Sequence, residues 1–429
     1  MVHTGTPRPV PTPAQLRWQE AGLGVFWHFG INTFNDREWS DGTLDPATFD
    51  PGELDADQWV RTALDAGARY AVLTAKHHDG FCLWPSATTD YSVASSPWRG
   101  GHGDVVAEVA AACRRHGLAL GLYLSPWDRN APCYDDAEAY DDLYLTQLRE
   151  LCTNYGELFE LWFDGAGSAG RSYDWDRVTA LIDELQPGAM VFNMGRPTIR
   201  WIGNEDGLAA DPVEYVVEAT HADNYTEGTA DLAEALYLPP ECDVSIRPGW
   251  FHHDAESPKS VDHLLAITYR SIGLGAGLLL NLPPDARGRI PDQDVARVRA
   301  WRAEWDRRFA DPIPATLTAS GNEVRARFEH PVTIDHLVLR EDLTAGQRVR
   351  GHEVHTPDGV VLVAAGTLGV RRVHVFEPVR VHELLVRVAA DDGASAAGHV
   401  TSVTGYDTGG AGVPYLPADY RAPTTPPPV

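Results

Sequence analysis

Histidines, a tyrosine and a carboxylate recur at one kind of place in this sequence, the ends of short apolar runs. His28 closes Leu23 to Phe29, His77 and His78 follow Arg69 to Ala75, Tyr123 closes Leu118 to Leu124, and Trp162 with Asp164 ends Glu157 to Gly165. Each run has the length and apolar content of a buried strand, and Gly30, Gly80 and Gly165 punctuate them. One histidine by itself is usually a satisfied core or surface residue. An Asp after a strand is also a common helix cap. Repetition at four successive strand ends points instead to side chains that converge. Histidines and carboxylates hydrogen-bond hydroxyl groups, an aromatic ring takes the C–H face of a sugar, and carboxyls work on a glycosidic bond. The ligand that suits this set is a neutral polyol.

The elements that must position these residues alternate regularly. Helical spacing is present at Asp57 to Gly67, at Asp104 to His116 with Asp104 as N-cap and Gly117 as stop, at about Ala139 to Tyr155, and at Asp174 to Gln186. Farther on the pattern loosens. Ala189 to Asn193, Cys242 to Ile246 and Gly277 to Asn281 read as strands, Pro258 to Leu274 and Asp292 to Phe309 as helices, Ile199 to Ile202 as a short ambiguous piece, and Ala209 to Tyr237 as loop. The alternation predicts a (β/α)8-like TIM barrel over 14–310, irregular in its second half, with its chemistry at the carboxyl ends of the strands. No GxGxxG follows the first strand and no Walker loop is present, which argues against a nucleotide-binding doubly wound sheet.

A boundary falls at Asp311-Pro-Ile-Pro. Short alternating segments separated by Gly, Asp and Pro then predict a C-terminal β-sandwich over 311–408, expected to pack against the barrel. Residues 1–13 read as a flexible N-terminus and 409–429 as an unstructured proline-rich tail. The net charge of −26 and pI near 4.9 would repel phosphate backbones and anionic lipid, so neither nucleic acid nor a membrane is an expected partner. The five cysteines are scattered, with no CxxC pair and no zinc spacing. Met1 to Pro13 lacks the apolar core of a signal peptide, and Ile272 to Leu282 is far shorter than the ~20 residues that span a bilayer. The expectation is a soluble, cytoplasmic protein; nothing in the sequence speaks to its oligomeric state.

The stretches Val25-Phe-Trp-His28-Phe-Gly, Glu38-Trp39-Ser, Ala75-Lys-His77-His78-Asp79-Gly-Phe, Tyr123-Leu-Ser and Leu161-Trp162-Phe-Asp164-Gly resemble the α-L-fucosidases of glycoside hydrolase family 29. Arg200-Trp-Ile-Gly-Asn-Glu205-Asp-Gly and Ser245-Ile-Arg247-Pro-Gly-Trp250-Phe resemble the branch of that family selective for α-1,3 and α-1,4 linked fucose. The resemblance implies a retaining glycoside hydrolase with no cofactor and no metal, acting on a fucosylated oligosaccharide. It implies Asp164 as nucleophile and Glu205 as general acid/base, their carboxyls roughly 5–5.5 Å apart. Glu241 is a second candidate for the acid/base. It further implies that His28, Glu38, Trp39, His77, His78, Tyr123 and Trp162 line the fucose pocket and that Arg247 and Trp250 contact the sugar beyond it. Arg247 can equally pair with an acidic neighbour.

Two other readings stay open. His28, His77, His78, Asp79 and Asp164 have the donor types of a zinc or manganese hydrolase, although adjacent residues on a strand, such as His77 and His78, point to opposite faces. A non-catalytic fucose-binding protein would carry the same pocket without a working carboxyl pair.

Overall fold

The computed structural model describes residues 8–221, 229–390 and 396–418. Eight parallel strands build the barrel: β1 (Leu23–Trp27), β2 (Tyr70–Lys76), β3 (Ala119–Leu124), β4 (Glu160–Trp162), β5 (Met190–Phe192) and β6 (Arg200–Trp201), then, beyond an antiparallel ribbon of β7 (Val216–His221) and β8 (Thr229–Tyr237), β9 (Pro240–Ser245) and β10 (Gly277–Asn281). Their spatial order is β5-β4-β3-β2-β1-β10-β9-β6, and a parallel bridge between Phe192 and Ile199 joins the two edges. Helices follow the first four strands as the spacing predicts. Asp104 caps Val105–His116 through the Ala107 N–H, Gly117 ends it at φ 71°, and Arg114, Arg115 and His116 face the negative end of its dipole.

The second half is irregular, as expected. The connection from β5 to β6 contains no helix, and β6 to β9 runs through the β7–β8 ribbon. That ribbon corrects the sequence reading of 209–237 as loop. Its strands pair with each other and not with the barrel, so the helix–strand rhythm used to find barrel strands does not register them. Residues 222–228 lie outside the described residues. The fourth strand is also shorter than Glu157 to Gly165, since pairing with β3 and β5 covers Glu160–Trp162 alone.

Strand alternation sorts the barrel into two layers. Val25, Trp27, Leu73, Leu122, Leu161, Cys242 and Val244 face the helices in one large core, while Phe26, Tyr70, Val72, Tyr123, Trp162, Phe192 and Trp201 form a separate cluster inside the barrel. Glu160 and Glu241 are fully buried within that interior. Tyr70 donates to Glu241 Oε2 at 2.6 Å, Trp162 Nε1 to Glu241 Oε1 at 3.0 Å, and Trp18 Nε1 to Glu160 Oε2 at 3.0 Å. Among the described residues Glu160 Oε1 receives no hydrogen bond. A proton held on it and shared with Glu241 leaves one charge where two would repel at close range. Burial pushes Glu160 well above the ordinary carboxyl range, followed by the neighbouring Glu241 charge.

The C-terminal unit comprises β11 (Ile313–Pro314), β12 (Thr316–Ser320), β13 (Glu323–Glu341), β14 (Gly351–His355), β15 (Val361–Ala365), β16 (Arg372–Ala389) and β17 (Val400–Tyr406). Among the described residues these strands form one hydrogen-bonded antiparallel path that wraps its own core. The long strands β13 and β16 cross it with register shifts, and bulges of that kind let a sheet bend over a core. It packs on the barrel, as expected: Tyr269 and His336 Nε2 are 2.7 Å apart, Arg372 pairs with Asp211, and Gln347 donates to the Val213 carbonyl. Of the two terminal segments, residues 1–7 and 419–429 lie outside the described residues; Thr12 forms a capping box with Gln15 at the start of the Pro13–Ala21 helix, and residues 409–418, without regular structure, are held by Arg308 to the Gly412 carbonyl and Arg270 to the Pro414 carbonyl. No helix among the described residues is long and apolar enough to cross a membrane.

Candidate active site

At the carboxyl ends of the strands lies a small cavity lined by Phe26, His28, Glu38, Trp39, His77, His78, Trp162, Asp164, Glu205, Asp243 and Trp250. Position follows from strand geometry. His28 sits one residue past β1, Asp164 two past β4 and Glu205 four past β6. His77 and His78 do not alternate. The strand ends at Lys76, the chain turns, and the two rings lie with centroids 4.1 Å apart on the same cavity. Lys76, still on the strand, points the other way into a buried pair with Asp128 at 2.9 Å. Gly80 makes the turn possible at φ 89°, where a Cβ would stand 2.3 Å from Asp128 Oδ1.

Two histidines are fixed in tautomer by their neighbours. Ser125 donates its hydroxyl to the Trp127 carbonyl at 2.6 Å, so across the 2.7 Å contact with His78 the ring Nδ1 must donate. Asn281 donates its amide to the Trp250 carbonyl at 2.7 Å and to Ser245, which turns its oxygen toward His28 N and Nδ1. Burial lowers His28 and His78 to about 3, and burial likewise drives His77 well down, with His78 adding to it. All three are neutral at ordinary pH. His28 and His78 therefore offer a bare Nε2, an acceptor suited to a hydroxyl donor.

Asp164 is held by two donors: the Tyr123 hydroxyl at 3.0 Å on Oδ2 and the Ala166 N–H at 2.9 Å on Oδ1. His78 Nε2 stands 3.6 Å from Oδ2. Glu205 is 5% exposed, and burial, then the neighbouring Asp243 and Asp164, push its pKa well above the carboxyl range. Trp250 Nε1 lies 3.4 Å from its Oε2. The pocket thus keeps one carboxyl with two donors aimed at it and one that holds a proton. Trp162 is immobilised between rings, stacked on Phe192 at 3.9 Å and 10° and on Tyr123 at 5.4 Å and 23°. Trp39 covers His78 edge-on at 4.8 Å.

The family model for alpha-L-fucosidases matches residues 8–305. The chain belongs to the alpha-L-fucosidase family. It is 45% identical over 342 residues to a putative alpha-L-fucosidase 1 of Oryza sativa subsp. japonica, covering 78% of this chain and 66% of that protein. It is 48% identical over 296 residues to the alpha-L-fucosidase 1 of Arabidopsis thaliana, covering 67% and 58%. The chain thus spans less than two thirds of the length of these plant relatives. Among solved structures, a putative alpha-L-fucosidase from Bacteroides ovatus superposes with a TM-score of 0.88 at 40% identity, covering 98% of this chain and 79% of that one.

Against the family resemblance, the structure brings His28, Glu38, Trp39, His77, His78, Trp162, Asp164, Glu205 and Trp250 onto one cavity, with Tyr123 directly behind Asp164. Glu38 does more than line it: its carboxylate takes the Trp250 and Phe251 N–H groups at 2.9 and 3.1 Å and His253 Nε2 at 2.7 Å, tying the rim loop down. Two candidates leave the site. Glu241 lies in the barrel interior, fully buried and committed to Tyr70 and Trp162, and does not line the cavity. Arg247 is 0% exposed, paired with Asp294 through Nε at 2.8 Å and Nη2 at 3.0 Å, and does not line the cavity. Among the described residues no group of three or more His, Cys, Asp or Glu is placed to share a metal ion.

Asp243 is the residue that sequence reasoning missed. It is 1% exposed and accepts from Trp201 Nε1 at 2.8 Å. Its signal was the strand period: with Glu241 inside the barrel, the residue two positions on must share that face, one layer nearer the pocket.

Proposed function

We propose that the protein is a retaining exo-α-L-fucosidase that removes terminal α-1,3 or α-1,4 linked L-fucose from branched oligosaccharides. The observation that carries this reading is the pair Asp164 and Glu205 on one cavity, the first held by donors and the second buried among acids. In the first step an Asp164 oxygen bonds to the anomeric carbon as the glycosidic C–O bond breaks, and the Glu205 proton goes to the departing oxygen. In the second, Glu205 takes a proton from water, the water oxygen bonds to the anomeric carbon, and the Asp164 ester bond breaks. The two carboxyls suffice for both steps. His28 and His78 accept from sugar hydroxyls, and the closed, aromatic-walled end of the pocket suits a terminal sugar.

Asp243 supports the acid role. Burial raises Asp243 itself well above the ordinary carboxyl range, its bond from Trp201 works against that, and the repulsion between these two neighbouring acids favours a proton held on Glu205. A non-catalytic binding protein would not need this divided proton inventory. The linkage preference rests on the resemblance of the Arg200 to Gly207 and Ser245 to Phe251 stretches to the branch described above; of these, Glu205 and Trp250 face the cavity.

The test is hydrolysis of a Lewis-type trisaccharide, 2′-fucosyllactose and an aryl α-L-fucoside by the wild type and Asp164→Ala, with the first-formed fucose anomer read by NMR. Release from the branched trisaccharide with retained configuration, abolished in the variant, is the expected result. Release from all three substrates would sink the linkage claim, inverted configuration the mechanism, and no release the enzyme.

A further inference from the structure

The opposite end of the barrel carries a second cavity, of about 240 Å³, where the N-terminal ends of β1, β2 and β10 meet the C-terminal sheet. Four arginines line it: Arg69 and Arg302 from the barrel, Arg340 and Arg371 from the sheet. Like charges brought together across an interface repel, and this protein has a net charge of −26, so such a cluster runs against its overall composition. Glu20, the one carboxylate in the lining, lies 3.2 Å from Arg340. Arg302 is paired with Asp306 at 2.7 Å outside the lining. Arg69 and Arg371 make no hydrogen bond or ion pair through their guanidinium groups among the described residues. Four arginines against Glu20 and Asp306 leave a formal surplus of two positive charges, and at Arg371 burial and then Arg340 work against the charge while Glu20 offsets them in part.

We propose that this cavity binds a tetrahedral oxyanion, phosphate or sulfate, free or as the ester of a small molecule, which bridges the barrel and the C-terminal sheet. The guanidinium fork matches two oxygens of such an anion, and two forks from opposite walls take it in a geometry that chloride cannot reproduce. The site lies at the far end of the barrel from Asp164, so its occupancy acts on the junction and leaves the chemistry alone.

Thermal unfolding of the full chain in inorganic phosphate, sulfate and glucose 6-phosphate, each against chloride at matched ionic strength, tests this. Such anions also stabilise proteins without a site, through exclusion from the surface. Specific binding is therefore read as a saturable rise in Tm that weakens by about tenfold in apparent affinity in Arg371→Gln and in the exposed-residue variant Arg69→Gln. Both variants should also melt higher than the wild type without phosphate, since each removes a repelling charge. A stronger effect of glucose 6-phosphate than of inorganic phosphate assigns the ester. An unsaturable rise, or a saturable one that is the same in wild type and both variants, overturns the proposal. Turnover of an aryl fucoside should be unaffected by phosphate in all three proteins.

Discussion

Trp201 donates its indole N–H to Asp243 Oδ1 at 2.8 Å, across 42 positions of sequence, and so ties the strand that leads into Glu205 to the acid that shapes Glu205's proton affinity. Burial raises Asp243 well above the carboxyl range, yet its ionisation still opposes that of Glu205; Asp243→Asn removes that competing acid and keeps the bond's acceptor. Acid catalysis is lost as pH rises through the pKa of Glu205, so the alkaline limb of the kcat/KM profile should move to lower pH in the variant. An unmoved limb would leave Asp243 a structural residue.

Glu205→Gln should lower kcat/KM on an oligosaccharide by roughly 10²–10⁴-fold, the usual worth of a general acid. A fucoside with an acidic phenol as leaving group needs less protonation and should lose much less. Equal losses on both substrates would assign Glu205 to binding.

The buried pair Glu160 and Glu241 predicts a pH dependence of stability. Their folded pKa values are raised, Glu241 to about 7 and Glu160 well above the carboxyl range, both through burial first. The sign follows: stability is fully present below the unfolded carboxyl pKa and falls progressively as pH rises from there through the folded values, to about 7 for Glu241 and higher for Glu160. Glu160→Gln, whose amide donates where the shared proton did, should flatten that loss in urea melts at pH 6 and 9. Glu241→Leu should destabilise at every pH, because Tyr70 and Trp162 lose their acceptor at about 1–3 kcal/mol each.

Arg247→Met should cost about 3–5 kcal/mol, the usual price of leaving one buried charge unpaired. Adding Asp294→Leu should restore most of it. The folded fraction of the single variant should keep its KM for a branched oligosaccharide; a raised KM would return Arg247 to the substrate.

His253 lies 2.7 Å from Glu38 and 2.5 Å from Asp36, and the Glu38 bond, more than any other cause, raises its pKa to about 9. This tie is in force below the free histidine pKa and is lost as pH rises through about 9. With it goes one of the three ties from Glu38 to the Trp250 loop, the two backbone N–H bonds remaining, so KM should climb above that pH in the wild type. In His253→Ala, KM should be higher at neutral pH and show no such step.

The sequence by itself determined the barrel's rhythm and the level at which its chemistry lies. Apolar runs of strand length, caps such as Asp104 with Gly117, and glycine stops are local features, and they placed His28, His77, His78, Tyr123, Trp162 and Asp164 at one end of the fold because a parallel strand has its loop there. Glu205 was reachable through its motif. Which side chains pair was decided by tertiary structure alone. His28 is set by Asn281, 253 positions away, Arg247 is claimed by Asp294 at 47, and Glu241 is withdrawn into the interior by Tyr70 at 171. A buried polar group takes whichever partner the packing presents. That partner depends on barrel closure and strand register, which no local stretch of the chain encodes. The same reason hid Asp243, whose role exists only because β6 and β9 lie side by side.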